Sequence, residues 1–277
     1  MSTTNADLGD PTELSEDQQR AVEAQLFRLA DDELVQAERY TFWQVRAPTL
    51  ESDLAVSNNA QDELGHARLW YDAIQQLGYT EESLIYESDP DDFQHSTLVE
   101  LPFEEGDWAD AVVRGYLYDV AEEIRLAALE ESTYAPIRDR TDRIQGEEEY
   151  HLEHARSWLE RMSLDDDASE RVQAAIDKLY PYALTIFEPV GDVESDIEAL
   201  GIRTRSLDEM RADWAERVDS FLTEQGFAVP TDTEPATPVG RDNDHTDHWH
   251  SLHEEMTSTY RNLGRDTATR LMDEDDE

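Results

Sequence analysis

The sequence predicts an all-α fold: a ferritin-like four-helix bundle with a long crossover and additional C-terminal helices. Three observations predict it. Apolar residues recur at helical spacing from about residue 18 onward, without sustained β-branched alternation. Glycine is rare, at 11 of 277 residues, and proline falls mostly between the periodic segments. Two Glu-x-x-His pairs, Glu63 with His66 and Glu148 with His151, interrupt apolar stripes on two different predicted helices.

The elements follow in order. Residues 1–17 are polar and acidic and read as a disordered tail. A first helix is predicted over 18–46, stopped by Pro48, and a second over 50–77, ended by Gly78. Residues 79–107 hold Pro90, Pro102 and Gly106. At about 29 residues this connection is too long for a bundle turn and fits a crossover between two helix pairs. The second pair is predicted over 108–133 and 137–162. A fifth helix over 168–187 ends before Pro189, with Pro181 expected to kink or divide it. Ser206 with Glu209 makes a capping box that opens a sixth helix, running to Gln225 and Gly226. Residues 229–243 carry Pro230, Pro235, Pro238 and Gly240 and read as a linker. A last helix over 245–271 precedes an acidic tail, Asp273 to Glu277. The domain reading is a tail at 1–17, a helical domain at 18–228, a linker at 229–243, and a C-terminal helix with its tail at 244–277.

Composition narrows the function. The chain has 67 acidic and 22 basic residues, a net charge of −45, and Lys178 is its one lysine. Such a surface repels nucleic acid and anionic membranes, and no basic stripe opposes that repulsion. Charge of this density is tolerable where salt screens it, since the Debye length falls to about 3 Å at 1 M salt. A halophilic, high-salt cytoplasm is the expected setting. With no cysteine there is no disulfide, no thiolate nucleophile and no Cys-ligated metal. The acidic N-terminus does not read as a signal peptide, and no apolar run approaches the roughly 20 residues of a membrane span.

The chemistry is expected at the two Glu-x-x-His pairs. At i and i+3 both side chains point the same way along a helix. Two such pairs plus one carboxylate from each of two other helices make the ferritin-like di-iron pattern. Carboxylates are hard, anionic and able to bridge two metals, and a neutral imidazole suits iron. Glu63 and His66 sit within Val56, Ala60, Ala67, Trp70 and Ile74; Glu148 and His151 sit between Ile144 and Ala155, Trp158 and Leu159. The remaining carboxylates are assigned to Glu33 and Asp119, with Glu123 as a substitute or addition for Asp119. Glu33 precedes Glu63 by 30 residues and Asp119 precedes Glu148 by 29, as two similar helix hairpins would require. Glu122, Glu123, Glu147, Glu149 and Glu153 otherwise read as solvated helix faces. His154 lies one turn beyond His151, as a supporting or a surface residue. The group His245, His248, His250 and His253 reads as helix-end surface or interface rather than a metal site, and His95 receives no role.

At these residues the sequence resembles the phenylacetyl-CoA epoxidase family, and within it the C-type subunits, over most of residues 22–262. Gln61-Asp62-Glu63-Leu64-Gly65-His66-Ala67-Arg68 is similar to the family's second-helix motif. Tyr150-His151-Leu152 with Ser157-Trp158-Leu159-Glu160-Arg161 resembles the C-type fourth helix. Ala174-Ala175-Ile176-Asp177-Lys178-Leu179-Tyr180 resembles the helix that follows, and His245-Thr246-Asp247-His248 with Glu254-Glu255-Met256 the closing segment. Arg46-Ala47-Pro48-Thr49-Leu50 is similar to the helix-one exit of the A-type subunits. That register places Glu33, Glu63, His66, Asp119, Glu148 and His151 on the A-type ligand positions.

The resemblance implies oxygen activation at a reduced di-iron centre and epoxidation of the aromatic ring of phenylacetyl-CoA, with electrons from a separate reductase. The partner it implies is an A-type oxygenase subunit. Some C-type subunits have lost the ligands and serve as structural partners; here the ligand residue types remain. No Gly-rich loop or Lys/Arg cluster marks a CoA site, which fits substrate held mainly by the partner. Three readings stay open: a C-type scaffold subunit with its di-iron ligand set retained, a catalytic di-iron oxygenase chain in its own right, and a ferritin-like iron oxidase or storage protein.

Overall fold

The computed structural model describes residues 7–102, 106–230 and 232–263, and no strand occurs among them. The expected acidic tail at 273–277 and the end of the last helix beyond 263 lie outside the described residues.

Helix α1, Glu16–Thr41, starts earlier than the sequence suggested. Ser15 Oγ accepts from the Gln18 amide and Gln18 Oε1 accepts from the Ser15 amide, a capping box hidden among acidic residues. Residues 7–15 before it are also placed. The Leu8 amide donates to Thr133 O at 2.8 Å, and Pro11–Glu13 forms a 3₁₀ turn. The helix ends at Thr41, short of 46, because Trp43 turns back to pack on Tyr40, Val56 and Ala60. Val45 completes that exit at φ 63°.

Helix α2, Leu50–Gln75, opens on Thr49, whose hydroxyl accepts from the Ser52 amide. Helices α3, Trp108–Ala127, and α4, Ala135–Met162, form the second hairpin. The α3 helix stops six residues before the expected 133 because Ala128 O is taken by the Thr204 amide and hydroxyl. Helix α1 packs along α2, α3 along α4, and α2 meets α4 across the bundle. That last contact brings the two Glu-x-x-His pairs face to face.

The crossover is built into the core. It contains a π turn at Glu82–Tyr86, a 3₁₀ turn at Pro90–Asp92 and one helical turn at Thr97–Glu100. Asp31 and Asp32 of α1 hold it: Asp31 Oδ2 accepts from the Gln94 amide at 2.8 Å and Asp32 Oδ1 from the Ser96 amide at 2.6 Å.

Helix α5, Asp166–Ala183, runs through Pro181 rather than breaking there, and a 3₁₀ turn at Leu184–Phe187 completes it. Proline sits in its last turn, where a single lost amide bond ends nothing. Helix α6, Glu194–Leu200, had no sequence signal beyond Gly201, which ends it at φ 71°. Helix α7, Leu207–Glu224, has the expected Ser206–Glu209 capping box. Helix α8 is Asp247–Leu263.

The segment expected to be a linker is instead bonded into the fold. The Ala236 amide donates to Pro181 O, Thr97 Oγ1 donates to Pro238 O, and the Gly240 amide donates to Thr97 Oγ1. Arg241 is wholly buried, 2.5 Å from Asp32 Oδ2. Its polar composition reads as a loop, but the buried charge of Asp32 needs a counter-ion, and Arg241 provides it. Among the described residues no helix is long and apolar enough to cross a membrane.

Candidate metal centre

All six residues singled out in the sequence are no more than 3% exposed: Glu33, Glu63, His66, Asp119, Glu148 and His151. Ligating atoms of Glu33, Glu63, His66 and Glu148 lie within 4.8 Å of one another. His66 Nδ1 is 3.2 Å from Glu148 Oε1 and 3.8 Å from Glu33 Oε2. His151 Nδ1 is 3.5 Å from the same Glu148 oxygen and 3.8 Å from Glu63 Oε1. Glu148 thus lies between the two imidazoles, whose ring centres are 6.4 Å apart. Asp119 stands outside the four-residue group, on the His151 side, where both line a small cavity.

Burial without partners is the informative feature. Both carboxylate oxygens of Glu33, Glu63 and Glu148, one of Asp119, and the Nδ1 of both histidines have no hydrogen-bond partner in the protein. A buried carboxylate is costly unless paired or metal-bound. Here several converge with their acceptor atoms unmet.

The outer edges of the imidazoles are, by contrast, held. His66 Nε2 is 2.7 Å from Glu147 Oε2, and His151 Nε2 is 3.3 Å from Asp62 Oδ2. A proton fixed at Nε2 leaves Nδ1 as the inward atom, the arrangement that metal-bound histidines use. Glu147, expected on a solvated face, is half-exposed and serves this brace. The available signal is an acidic residue immediately before each Glu-x-x-His, at Asp62 and Glu147.

Glu122 departs further from expectation. It is wholly buried rather than solvated, and Arg125 Nε donates to it at 2.8 Å. Arg125 also donates to Asp32, which pairs with Arg241, so a chain of buried ions runs from the cluster to the C-terminal segment. Glu123, the alternative to Asp119, is exposed and pairs with Arg217 at 3.0 Å. Glu149 and Glu153 are exposed as expected, and His154 is half-buried at the cavity wall.

Electrostatics follow from this packing. Burial, reinforced by Glu33 and Glu148, holds the Glu63 carboxyl well above the usual range. Burial and the neighbouring Glu148 do the same to Asp119. Burial outweighs the help of Arg125 and pushes Glu122 up to about 8. Burial opposes ionisation of Glu148, yet His151 and His66 overcome it and draw the carboxyl down to about 2. Burial likewise opposes charge on the imidazoles, but Glu148 and Glu33 raise His66 to about 11, and Glu148 and Asp62 raise His151 to about 10. With no cation bound, protons would have to balance the charge of this cluster. The donor set of carboxylates and imidazoles fits iron.

A family model described as "Phenylacetic acid catabolic protein" matches residues 2–266. The chain belongs to this family. It is 31% identical over 244 residues to the C subunit of Escherichia coli (strain K12) 1,2-phenylacetyl-CoA epoxidase, covering 87% of this chain and 96% of that one. It is 28% identical over 193 residues to the A subunit of the same organism's epoxidase, covering 68% of this chain and 62% of that one. As a phenylacetic acid catabolic protein, the chain combines similarity to the C-type relative with a buried carboxylate and histidine cluster.

Proposed function

We propose that this chain is the C-type subunit of a 1,2-phenylacetyl-CoA epoxidase, that it pairs with an A-type subunit, and that it retains a di-iron ligand set. Similarity to the E. coli C subunit over nearly the whole length of both chains supports the subunit type. One observation carries the division of labour. The cavity bordering the cluster, lined by Tyr40, Trp43, Trp108, Asp119, His151 and His154 among others, has a volume of about 30 Å³. An apolar cavity that takes benzene is about 150 Å³. The space beside His151 has room for about one water and is too small for an aromatic ring. That small cavity supports a reading in which the phenylacetyl group sits on the partner and electrons come from a separate reductase component.

The ligand set would divide simply. Glu33 and His66 face one side, Asp119 and His151 the other, and Glu63 and Glu148 lie between. Two irons held there would supply a redox centre able to react with dioxygen. The chain's own contribution is orientation. Asp62 and Glu147 hold a proton on each outer imidazole nitrogen, and the near-complete burial of the six residues keeps bulk water out.

The test is to purify the chain by itself, and with its A-type partner, and to measure iron per chain and ring epoxidation. About two irons per chain are expected, lost in Glu63→Ala or His151→Ala, with epoxidation only in the presence of the partner. Epoxidation by the isolated chain would overturn the C-type role and favour the catalytic reading. An iron-free chain that still restores the partner's activity would remove the di-iron part and leave the scaffold.

A further inference from the structure

The crossover and the C-terminal segment meet at a second buried group of ligating side chains: His95, Glu100 and His245. Their ligating atoms all lie within 4.8 Å of one another. His95 Nε2 is 3.2 Å and His245 Nδ1 is 2.7 Å from the same oxygen, Glu100 Oε1. The side chains of all three are shut from solvent.

Two features separate this group from an ordinary buried hydrogen-bond network. First, neither ring nitrogen of His95 has a hydrogen-bond partner, although the residue is 0% exposed. Its Nε2 is close to Glu100 but out of line with it. Secondly, the far sides of the other two groups are already held. His245 Nε2 donates to Phe93 O at 2.9 Å, and Glu100 Oε2 accepts from the Thr246 amide at 2.8 Å and its hydroxyl at 2.7 Å. One atom from each residue gathers on the inner side, His95 Nε2, Glu100 Oε1 and His245 Nδ1, and the 2.7 Å hydrogen bond between His245 Nδ1 and Glu100 Oε1 is the contact a cation would replace. Backbone and hydroxyl contacts on the outer side are how ligands around a cation are oriented.

We propose that His95, Glu100 and His245 form a structural site for a divalent, zinc-type cation, distinct from the carboxylate cluster, that fastens the C-terminal segment to the crossover. Two imidazoles and one carboxylate are a zinc donor set. Trp249 packs edge-on against His95, with ring centres 4.4 Å apart, and closes one side. Gly240 closes another: a Cβ there would lie 2.4 Å from His95 O and 2.9 Å from Glu100 Oε1. A cation sealed in this way fastens rather than catalyses. The grouping also divides the C-terminal histidines. His245 belongs to the site, whereas His248 is exposed and His250 lies half out in solvent, 3.8 Å from Asp91.

The experiment uses the full chain and zinc ion alone. Crystals soaked in Zn²⁺ and measured at the zinc edge are expected to show an anomalous peak between His95, Glu100 and His245. In solution, the metal-stripped chain is titrated with Zn²⁺. One Zn²⁺ per chain should survive Glu63→Gln with His151→Gln. Its dissociation constant should rise about 100-fold or more in His95→Gln and in His245→Gln, and stay unchanged in His250→Gln. The crystal readout uses the unaltered chain, so it stands even where a variant folds poorly. No peak at the three residues, zinc only at His250 or the bundle centre, or equal affinity in His95→Gln would overturn the proposal.

Discussion

Glu147 Oε2 of α4 lies 2.7 Å from His66 Nε2 of α2, and the relation is mirrored by Asp62 of α2 on His151 of α4, at 3.3 Å. Each helix supplies the histidine that its neighbour's carboxylate orients. The packing of α2 on α4 therefore sets the aim of both imidazoles.

The first prediction follows from this brace. Glu147→Ala should weaken iron binding about 10- to 100-fold without unfolding the chain, since the residue is half-exposed. Asp62→Ala should weaken it less, because its contact is longer. Glu149→Ala, on the exposed face beside Glu147, serves as the control. Competition with a chelator reads all three; equal affinity in Glu147→Ala and Glu149→Ala would sink the idea.

Metal removal should make stability depend on pH with a definite sign. Glu63 and Asp119 have folded values well above their unfolded ones, so the metal-free folded chain binds more protons than the unfolded chain. Stability then falls as pH rises from about 4 toward those higher folded values. The metal-free chain should melt higher at pH 5.5 than at 7.5. Glu63→Gln removes one of these carboxylates and should flatten part of that slope. Melting the parent and the variant after chelation, at both pH values, measures the difference; identical slopes would contradict the account.

The four bundle helices, and the burial side by side of Glu33, Glu63, His66 and Glu148, were legible because helical period and Glu-x-x-His spacing are local signals. Glu122 was not. It lies on a helix face that α1 and the buried Arg125 cover, and in a sequence this acidic one more glutamate carries no mark. The 229–243 segment failed for the same reason in reverse. Its Pro, Thr and Asp composition hides one residue, Arg241, whose burial depends on Asp32, 209 positions earlier. His95 and Glu100 came together with His245 only through the crossover's fold, which no periodicity announces.

Glu194 opens the unanticipated helix α6 and meets two arginines, Arg28 and Arg203, each only 2% exposed. Burial opposes its ionisation, but the two guanidinium groups hold its carboxyl below the usual range. The stability it contributes is present above the unfolded carboxylate pKa and lost as pH falls through the lower folded one. Glu194→Gln leaves two buried cations without their shared anion, and a loss of about 3–5 kcal/mol is expected. Denaturant melts at pH 7 measure it. A loss below about 1 kcal/mol would mean the arginines find other partners.

Salt should govern the fold as a whole. The net charge is −45, and Lys178, the single lysine, pairs with Asp110 at 3.3 Å on the surface. Most carboxylates among the described residues are exposed or partly exposed, and with so few cations to offset them the compact state repels itself. At 0.01 M salt the Debye length is about 30 Å, long enough for charges across the whole bundle to interact; at 1 M it is about 3 Å and only contacts remain. The melting temperature should therefore rise steeply between millimolar and molar KCl, and equally in NaCl if screening is the cause. Buried pairs such as Asp32 with Arg241 are screened much less, so Glu194→Gln should lose nearly the same stability at both salt levels. A melting temperature that ignores salt would show that the acidic surface costs the fold nothing.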